Sequence, residues 1–357
     1  MASPKKRRIA AQFGDGHIRL VDGDVPDLKA GTIMVEVKAS LVSPGTELGG
    51  WRRLKEKTEN PIPDTEPRPF GYSNSGIVYE VGDGVTRFTK GDRVACIGGG
   101  YALHTDWAVV PHNLCVRLPD EVSFENASYA MLSATSLNAL RRADLGFGEC
   151  YGIAGLGILG QLAGQLHKLA GNYVIGWDTI PFRTKIAKNW GIHDTVTVGP
   201  EDPVKKSLSF TGSYGLDGGL IAFGGDASSA VRNLSRSLKK RPDGHPVGPI
   251  VVVGGANFSY ADHEAGGLSN VDIRRAGRTG LGYHDEDWEY GQAYPPVVMR
   301  WTTTTNLELC MRLIVEKKLD VDALTTHTIP FAEIDEGICE AIQDPDSMLG
   351  VVFVHAD

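Results

Sequence analysis

Three glycines constrain this chain more than any other feature. In Tyr151-Gly152-Ile153-Ala154-Gly155-Leu156-Gly157-Ile158-Leu159-Gly160, a G-x-G-x-x-G spacing joins an apolar run to a helical pattern. The order predicts a buried strand, a tight turn and the start of a helix. Gly155 permits the turn, Gly157 lets a pyrophosphate come close to the backbone, and Gly160 lets the helix pack on the strand. Leu156, Ile158 and Leu159 belong to the same turn. There the helix N-terminus offers unpaired N–H groups and a partial positive charge to phosphates.

A glycine turn alone is weak evidence, so the flanks matter. Leu159, Leu162, Ala163, Leu166 and Leu169 recur at helical spacing, and Gly171 offers a stop. A second apolar run, Tyr173-Val174-Ile175-Gly176-Trp177, ends on Asp178. A carboxylate there, about 20 residues past the turn, is placed to accept both adenosine ribose hydroxyls and to repel a 2′-phosphate. The reading is therefore NAD(H) rather than NADP(H). Arg183 complicates it, with three roles open: reaching a phosphate, pairing with Asp178, or lying over the adenine.

The 357 residues suffice for two domains. A net charge of -8 argues against general nucleic-acid binding. The basic run Lys5-Lys6-Arg7-Arg8 is read as a solvated tail in preference to a targeting or phosphate-binding patch. No apolar run has the length of a membrane span, and no signal-peptide core follows the start. Five scattered cysteines without a C-x-x-C suit a reducing cytoplasm. Before the glycine turn the chain reads as short strands, among them Thr32 to Ser40 and Gly76 to Gly82, with glycine and proline between them. That pattern suggests a small barrel. Phe124 to Leu145 reads as helical, and strands and helices alternate to about residue 280. Leu220 to Phe223 and Ile250 to Val253 read as buried parallel strands ending on Gly224 and Gly254. Phe223, Gly224 and Gly254 thereby border the expected cofactor site.

The order of motifs resembles the medium-chain dehydrogenase/reductase superfamily. It runs from a β-rich opening through Gly91-Asp92-Arg93-Val94, the Leu118-Pro119-Asp120 turn and a helix with Thr135 to the fingerprint. Ser43-Pro44-Gly45-Thr46-Glu47, Gly71-Tyr72 and His104-Thr105-Asp106-Trp107 look like a sub-branch near bacteriochlorophyllide, threonine and sorbitol dehydrogenases. The resemblance implies an α/β chain: a GroES-like β-barrel catalytic domain (1–133 and 282–357) and a doubly wound parallel-sheet Rossmann domain (134–281). It also implies a small-molecule substrate, a homodimer or homotetramer, and Thr135 beside the cofactor.

The departures from that family carry the mechanism. Zinc-dependent members read Cys-Gly-Thr-Asp where this chain has Pro44-Gly45-Thr46-Glu47, and Gly-His-Glu where it has Gly71-Tyr72-Ser73; their third ligand falls near Met131. Those residues do not suit zinc, and Cys96 and Cys115 do not make a four-cysteine lobe, so no metal is expected at either place. Tyr72 then stands where a ligand would, Thr46 matches the family's proton-relay hydroxyl, and His104 is a second acid/base candidate. The leading expectation is a zinc-independent, NAD(H)-dependent enzyme interconverting a secondary alcohol and a ketone. Aromatic and charged residues in 282–288 and 294–301 suit a polyol, sugar or cyclitol, or an ordinary surface loop. Trp51-Arg52-Arg53 reads as a surface turn by default, with contact to an anionic group as the alternative. Three alternatives stay open: an NADPH-dependent quinone or enoyl reductase, a redox-neutral NAD-retaining epimerase or lyase, and a non-catalytic NAD(H)-binding protein.

Overall fold

The computed structural model describes residues 4–62, 66–259, 268, 270–295 and 300–355. Of the stretches read above, residues 296–299 of 294–301 lie outside the described residues. The chain divides into two compact units, one of residues 1–134, 279–317 and 325–357, the other of residues 135–278 and 318–324.

The first unit is a GroES-like β domain. Its seven-stranded sheet runs in the order Thr325–Pro330, Gly350–Val354, Thr32–Val42, Ser73–Val81, Arg93–Ile97, Cys115–Arg117, with Trp107–Pro111 also paired to Thr32–Val42. Thr32–Val42 is central: it pairs with three strands, and its alternate residues Ile33, Val35, Val37, Ala39 and Leu41 are nearly inaccessible. A three-stranded sheet holds Lys6–Gln12 between Ile18–Asp24 and Arg68–Pro69.

Two local expectations are corrected in this unit. The basic run is not a tail. It begins the strand Lys6–Gln12, which pairs antiparallel with Ile18–Asp24, and its cations find partners in Asp24 (Lys6, 2.6 Å) and Asp106 (Arg8, 3.2 Å). The contiguous buried residues Ile9, Ala10 and Ala11 pull the run into the sheet. Nor is Trp51 in a surface turn. It opens the helix Trp51–Glu59, where Trp51 and Leu54 enter a core with Phe70, Phe331 and Phe353.

The second unit has a six-stranded, all-parallel sheet in the order Asp194–Thr197, Tyr173–Asp178, Cys150–Ala154, Gly218–Ile221, Gly248–Val252, Val271–Arg275. By position along the chain this is the 3-2-1-4-5-6 order of the doubly wound fold. It reverses beside Cys150–Ala154, where ligands bind in such sheets. Residues 318–324 join this unit. Gln165 holds the backbone of Asp320 at both ends, its Nε2 donating to the carbonyl at 2.9 Å and its Oε1 accepting from the N–H at 2.7 Å. Among the described residues no helix is long and apolar enough to cross a membrane.

Candidate active site

The glycine turn follows Cys150–Ala154 and leads into the helix Ile158–Leu169. Gly155 has φ +95°, a conformation that a side chain disfavours. A Cβ on Gly160 would lie 1.8 Å from the carbonyl oxygen of Gly155, so only glycine lets the helix sit this close. Gly157 differs: nothing lies within 4 Å of where its Cβ would be. One glycine bends the chain, one packs it, and one faces open space, which fits a pyrophosphate cradle. Leu156 and Ile158 turn their side chains inward, 0% and 5% exposed, so only their backbones face a ligand. Of the N–H groups in the turn, that of Leu156 is committed to Asp178 Oδ2 at 2.7 Å.

Asp178 is buried at the end of its strand, and its second oxygen accepts from the N–H of Ile180 at 2.9 Å. Each oxygen keeps a lone pair, so ribose hydroxyls can still be accepted. Of the three roles open to Arg183, the structure shows pairing: its guanidinium stands 3.6 Å from Asp178 Oδ2. Phe223 packs against the turn, its ring 3.0 Å from where a Cβ on Gly155 would be. Gly224 is exposed, and Gly254 has φ +83° with open space at its Cβ. Thr135 is buried in the helix Ala130–Ala143.

The other candidate residues meet in the first unit. Pro44 supplies the fixed φ of a helix start, and Pro44–Glu47 forms one turn. Glu47 reaches back to accept the N–H of Ser43 at 2.5 Å. Tyr72 is partly buried, and the Ser43 and Thr46 side chains lie near enough to its hydroxyl to favour the phenolate. Burial raises the phenol's pKa well above its ordinary value, the Glu47 carboxylate pushes it further, and the two hydroxyl contacts oppose them. Thr46 is exposed. Gly71 sets this geometry: it has φ +122°, and a Cβ there would meet the backbone N of His104 at 2.3 Å.

His104 sits behind this group. It is fully buried, edge-on to Phe70 at 4.8 Å and to Phe353 at 5.0 Å. Its Nδ1 lies 2.8 Å from Ser40 Oγ, and its Nε2 lies 3.4 Å from Glu47 Oε1. A ring with no exposed surface cannot take a proton from a substrate directly. The expectation of an acid/base histidine gives way to a positioning one. Sequence reasoning missed Ser40, Ser43 and Glu47, although the last two lie inside the stretch that carried the resemblance.

Zinc does not fit the family positions. Pro44, Tyr72 and Met131 offer no imidazole, thiolate or carboxylate. Among the described residues, Glu47 and His104 belong to no group of three convergent ligand atoms. Cys96 and Cys115 are register partners on adjacent strands, a pairing invisible in their spacing, and both are buried free thiols.

The late aromatic stretch is used mostly for folding. Asp285 caps the helix Glu286–Glu289 and accepts the Tyr294 hydroxyl. Trp288 and Glu289 are buried at 4% exposure. Tyr283 is the exception: its oxygen accepts the N–H of Gly99 at 3.0 Å, and it lies close enough to Tyr72 to raise that phenol's pKa further.

Comparison with known proteins agrees with this architecture. Residues 29–120 match the family described as the alcohol dehydrogenase GroES-like domain. A quinone oxidoreductase of Pseudomonas aeruginosa is 32% identical over 148 residues, 41% of this chain and 46% of that protein's length. The D-guloside 3-dehydrogenase of Escherichia coli is 26% identical over 335 residues, 91% of this chain and 90% of the relative. The crystal structure of 2R,3R-butanediol dehydrogenase from Bacillus subtilis superposes with a TM-score of 0.71 at 22% identity, covering 98% of this chain and 99% of that one. With its GroES-like unit, its doubly wound unit and relatives of this kind, the chain belongs to the medium-chain dehydrogenase/reductase superfamily.

Proposed function

We propose that this chain is an NAD(H)-dependent oxidoreductase that interconverts a secondary alcohol and a ketone without zinc, on a polyol, sugar or cyclitol-like substrate. The observation that carries the proposal is the Tyr72 hydroxyl, near the Ser43 and Thr46 side chains and the Glu47 carboxylate, at a zinc-ligand position of the resembling family. The full-length similarity to a guloside dehydrogenase favours a sugar hydroxyl.

A bound nicotinamide supplies the hydride chemistry, NADH giving and NAD+ accepting. Gly155, Gly157, Gly160 and Asp178 would hold it. The carboxylate of Asp178 favours ribose hydroxyls over a 2′-phosphate. The chain's own residues handle the proton. With its pKa raised, Tyr72 stays protonated at neutral pH and donates to the carbonyl oxygen as the C=O bond becomes C–O–H. The proton lost from Tyr72 returns through the exposed Thr46 hydroxyl, and alcohol oxidation runs the same path backward. Ser40 orients His104, His104 faces Glu47, and Glu47 accepts the Ser43 N–H, so the turn beside the tyrosine is set before substrate arrives.

One observation favours a second reading. The Pseudomonas relative is a quinone oxidoreductase, so quinone reduction by the same residues is the competing activity. The test is a Tyr72→Phe variant assayed with both keto-sugars and quinones. The proposal expects keto-sugar turnover to fall at least about 100-fold. Turnover kept within a few fold removes the phenol from the mechanism, and native activity on quinones alone selects the second reading. The five cysteines, all free, fit a reducing compartment.

A further inference from the structure

A second set of chemistry-bearing side chains lies in the first unit, apart from every residue used above. His17 immediately precedes the strand Ile18–Asp24, and Asp335 and Cys339 stand four residues apart on the helix Ile334–Ala341. That spacing puts the carboxylate and the thiol on one helix face. His17 Nδ1 lies 2.8 Å from Asp335 Oδ1 and 3.4 Å from Cys339 Sγ, and the sulfur lies 3.7 Å from the same oxygen. We propose that His17, Asp335 and Cys339 form a binding site for a divalent transition-metal ion of the zinc type.

The geometry fits such an ion. With ordinary zinc bond lengths, tetrahedral ligand atoms sit about 3.4–3.6 Å apart. The two distances to sulfur lie at or close to that range, and the nitrogen–oxygen distance has to open by about half an ångström. Without an ion the thiol donates to Asp335 Oδ1 and the imidazole stands against both, so the same three atoms already converge on one point. The mixed nitrogen, oxygen and sulfur set suits a borderline ion rather than magnesium or calcium.

The surroundings fit as well. Ile18, Ile334 and Ile338 anchor both segments in the core, at 0%, 1% and 1% exposure. Asp15 accepts the backbone N–H of His17 at 3.0 Å and pairs with Arg19 at 2.7 Å, so their charges cancel. A carboxylate on Asp335 and a thiolate on Cys339 then balance a dication. All three ligands are half-buried, which leaves an ion a path in and room for water as a fourth ligand. None of the three occupies a zinc position of the resembling family, so the site would be structural or regulatory.

The probe is cobalt(II) alone, titrated into the full chain after treatment with a chelator. The native chain is expected to bind one equivalent with a thiolate-to-cobalt charge-transfer band in the near ultraviolet. Cys339→Ser is expected to abolish the band, and Asp335→Asn and His17→Gln to weaken binding at least about tenfold. No band in the native chain overturns the proposal. So does a band that survives in Cys339→Ser, which would assign it to another of the five cysteines. Should Cys339→Ser fail to fold, unchanged cobalt affinity in Asp335→Asn overturns it equally.

Discussion

The Glu47 carboxylate lies 3.4 Å from Nε2 of His104, with side chains 3% and 0% exposed. Neither facing atom has a hydrogen-bond partner among the described residues. Two such groups buried together are costly unless they serve each other. The pair therefore fixes the short turn that carries Ser43 and Thr46, and its charge acts on Tyr72.

Glu47→Gln should move the alkaline limb of ketone reduction. Glu47 raises the Tyr72 pKa, so removing its charge lowers the pH at which the phenol loses its proton. Reduction then declines at lower pH than in the native chain. The pH dependence of kcat for both proteins checks this, and coincident limbs would remove Glu47 from the electrostatics of Tyr72.

Two glycine substitutions should separate binding from folding. Gly160→Ala places a methyl against the carbonyl of Gly155 and should cost about 2 kcal/mol or more of stability. Gly157→Ala meets open space and should leave Tm nearly unchanged, yet weaken NADH binding about tenfold or more by filling the pyrophosphate's approach. Thermal unfolding and fluorescence titration with NADH read the two effects independently.

Asp178→Asn should narrow the preference for NADH over NADPH. The substitution removes the charge that opposes a 2′-phosphate and weakens the hold on the Leu156 and Ile180 N–H groups. Separate titrations with NADH and NADPH check this. An unchanged ratio would mean that Arg183, not Asp178, governs the choice.

Acid should destabilise the chain before its carboxylates titrate. His167 stacks on Tyr151 at 3.9 Å, and burial lowers its pKa to about 4. An unfolded histidine titrates near about 6.5, so the unfolded chain binds more protons between those values. The contribution is intact above about pH 6.5 and is lost toward pH 4, about 3 kcal/mol in all. His355, lowered to about 3 by burial and then by His104, adds in the same direction. Urea unfolding from pH 7 to 5 should show this slope, and His167→Gln should flatten it.

The second unit was the more legible part of the chain. Its signals are local: glycines at fixed offsets, a leucine pattern of helical period and an aspartate at a strand end, each a direct consequence of backbone geometry. The first unit depends on pairing between distant segments. Nothing local says that the basic run at Arg8 finds Asp106, or that Cys96 faces Cys115. The site divides the same way. Tyr72 and Thr46 could be placed by motif, but the partners of His104 come from Ser40 and Glu47 across the sheet, and its burial depends on Phe70 and Phe353. The 282–288 stretch left two readings open because substrate recognition and helix capping use the same residue types.

The most direct test of the account is the rate of NADH formation from a panel of polyols, sugars and glycosides, D-gulosides included, by chelator-treated native chain and by Tyr72→Phe. The account predicts activity that survives metal removal and falls at least about 100-fold without the phenol. Activity that chelation abolishes and zinc restores, in Cys339→Ser as in the native chain, with Tyr72→Phe within a few fold of native, would contradict it.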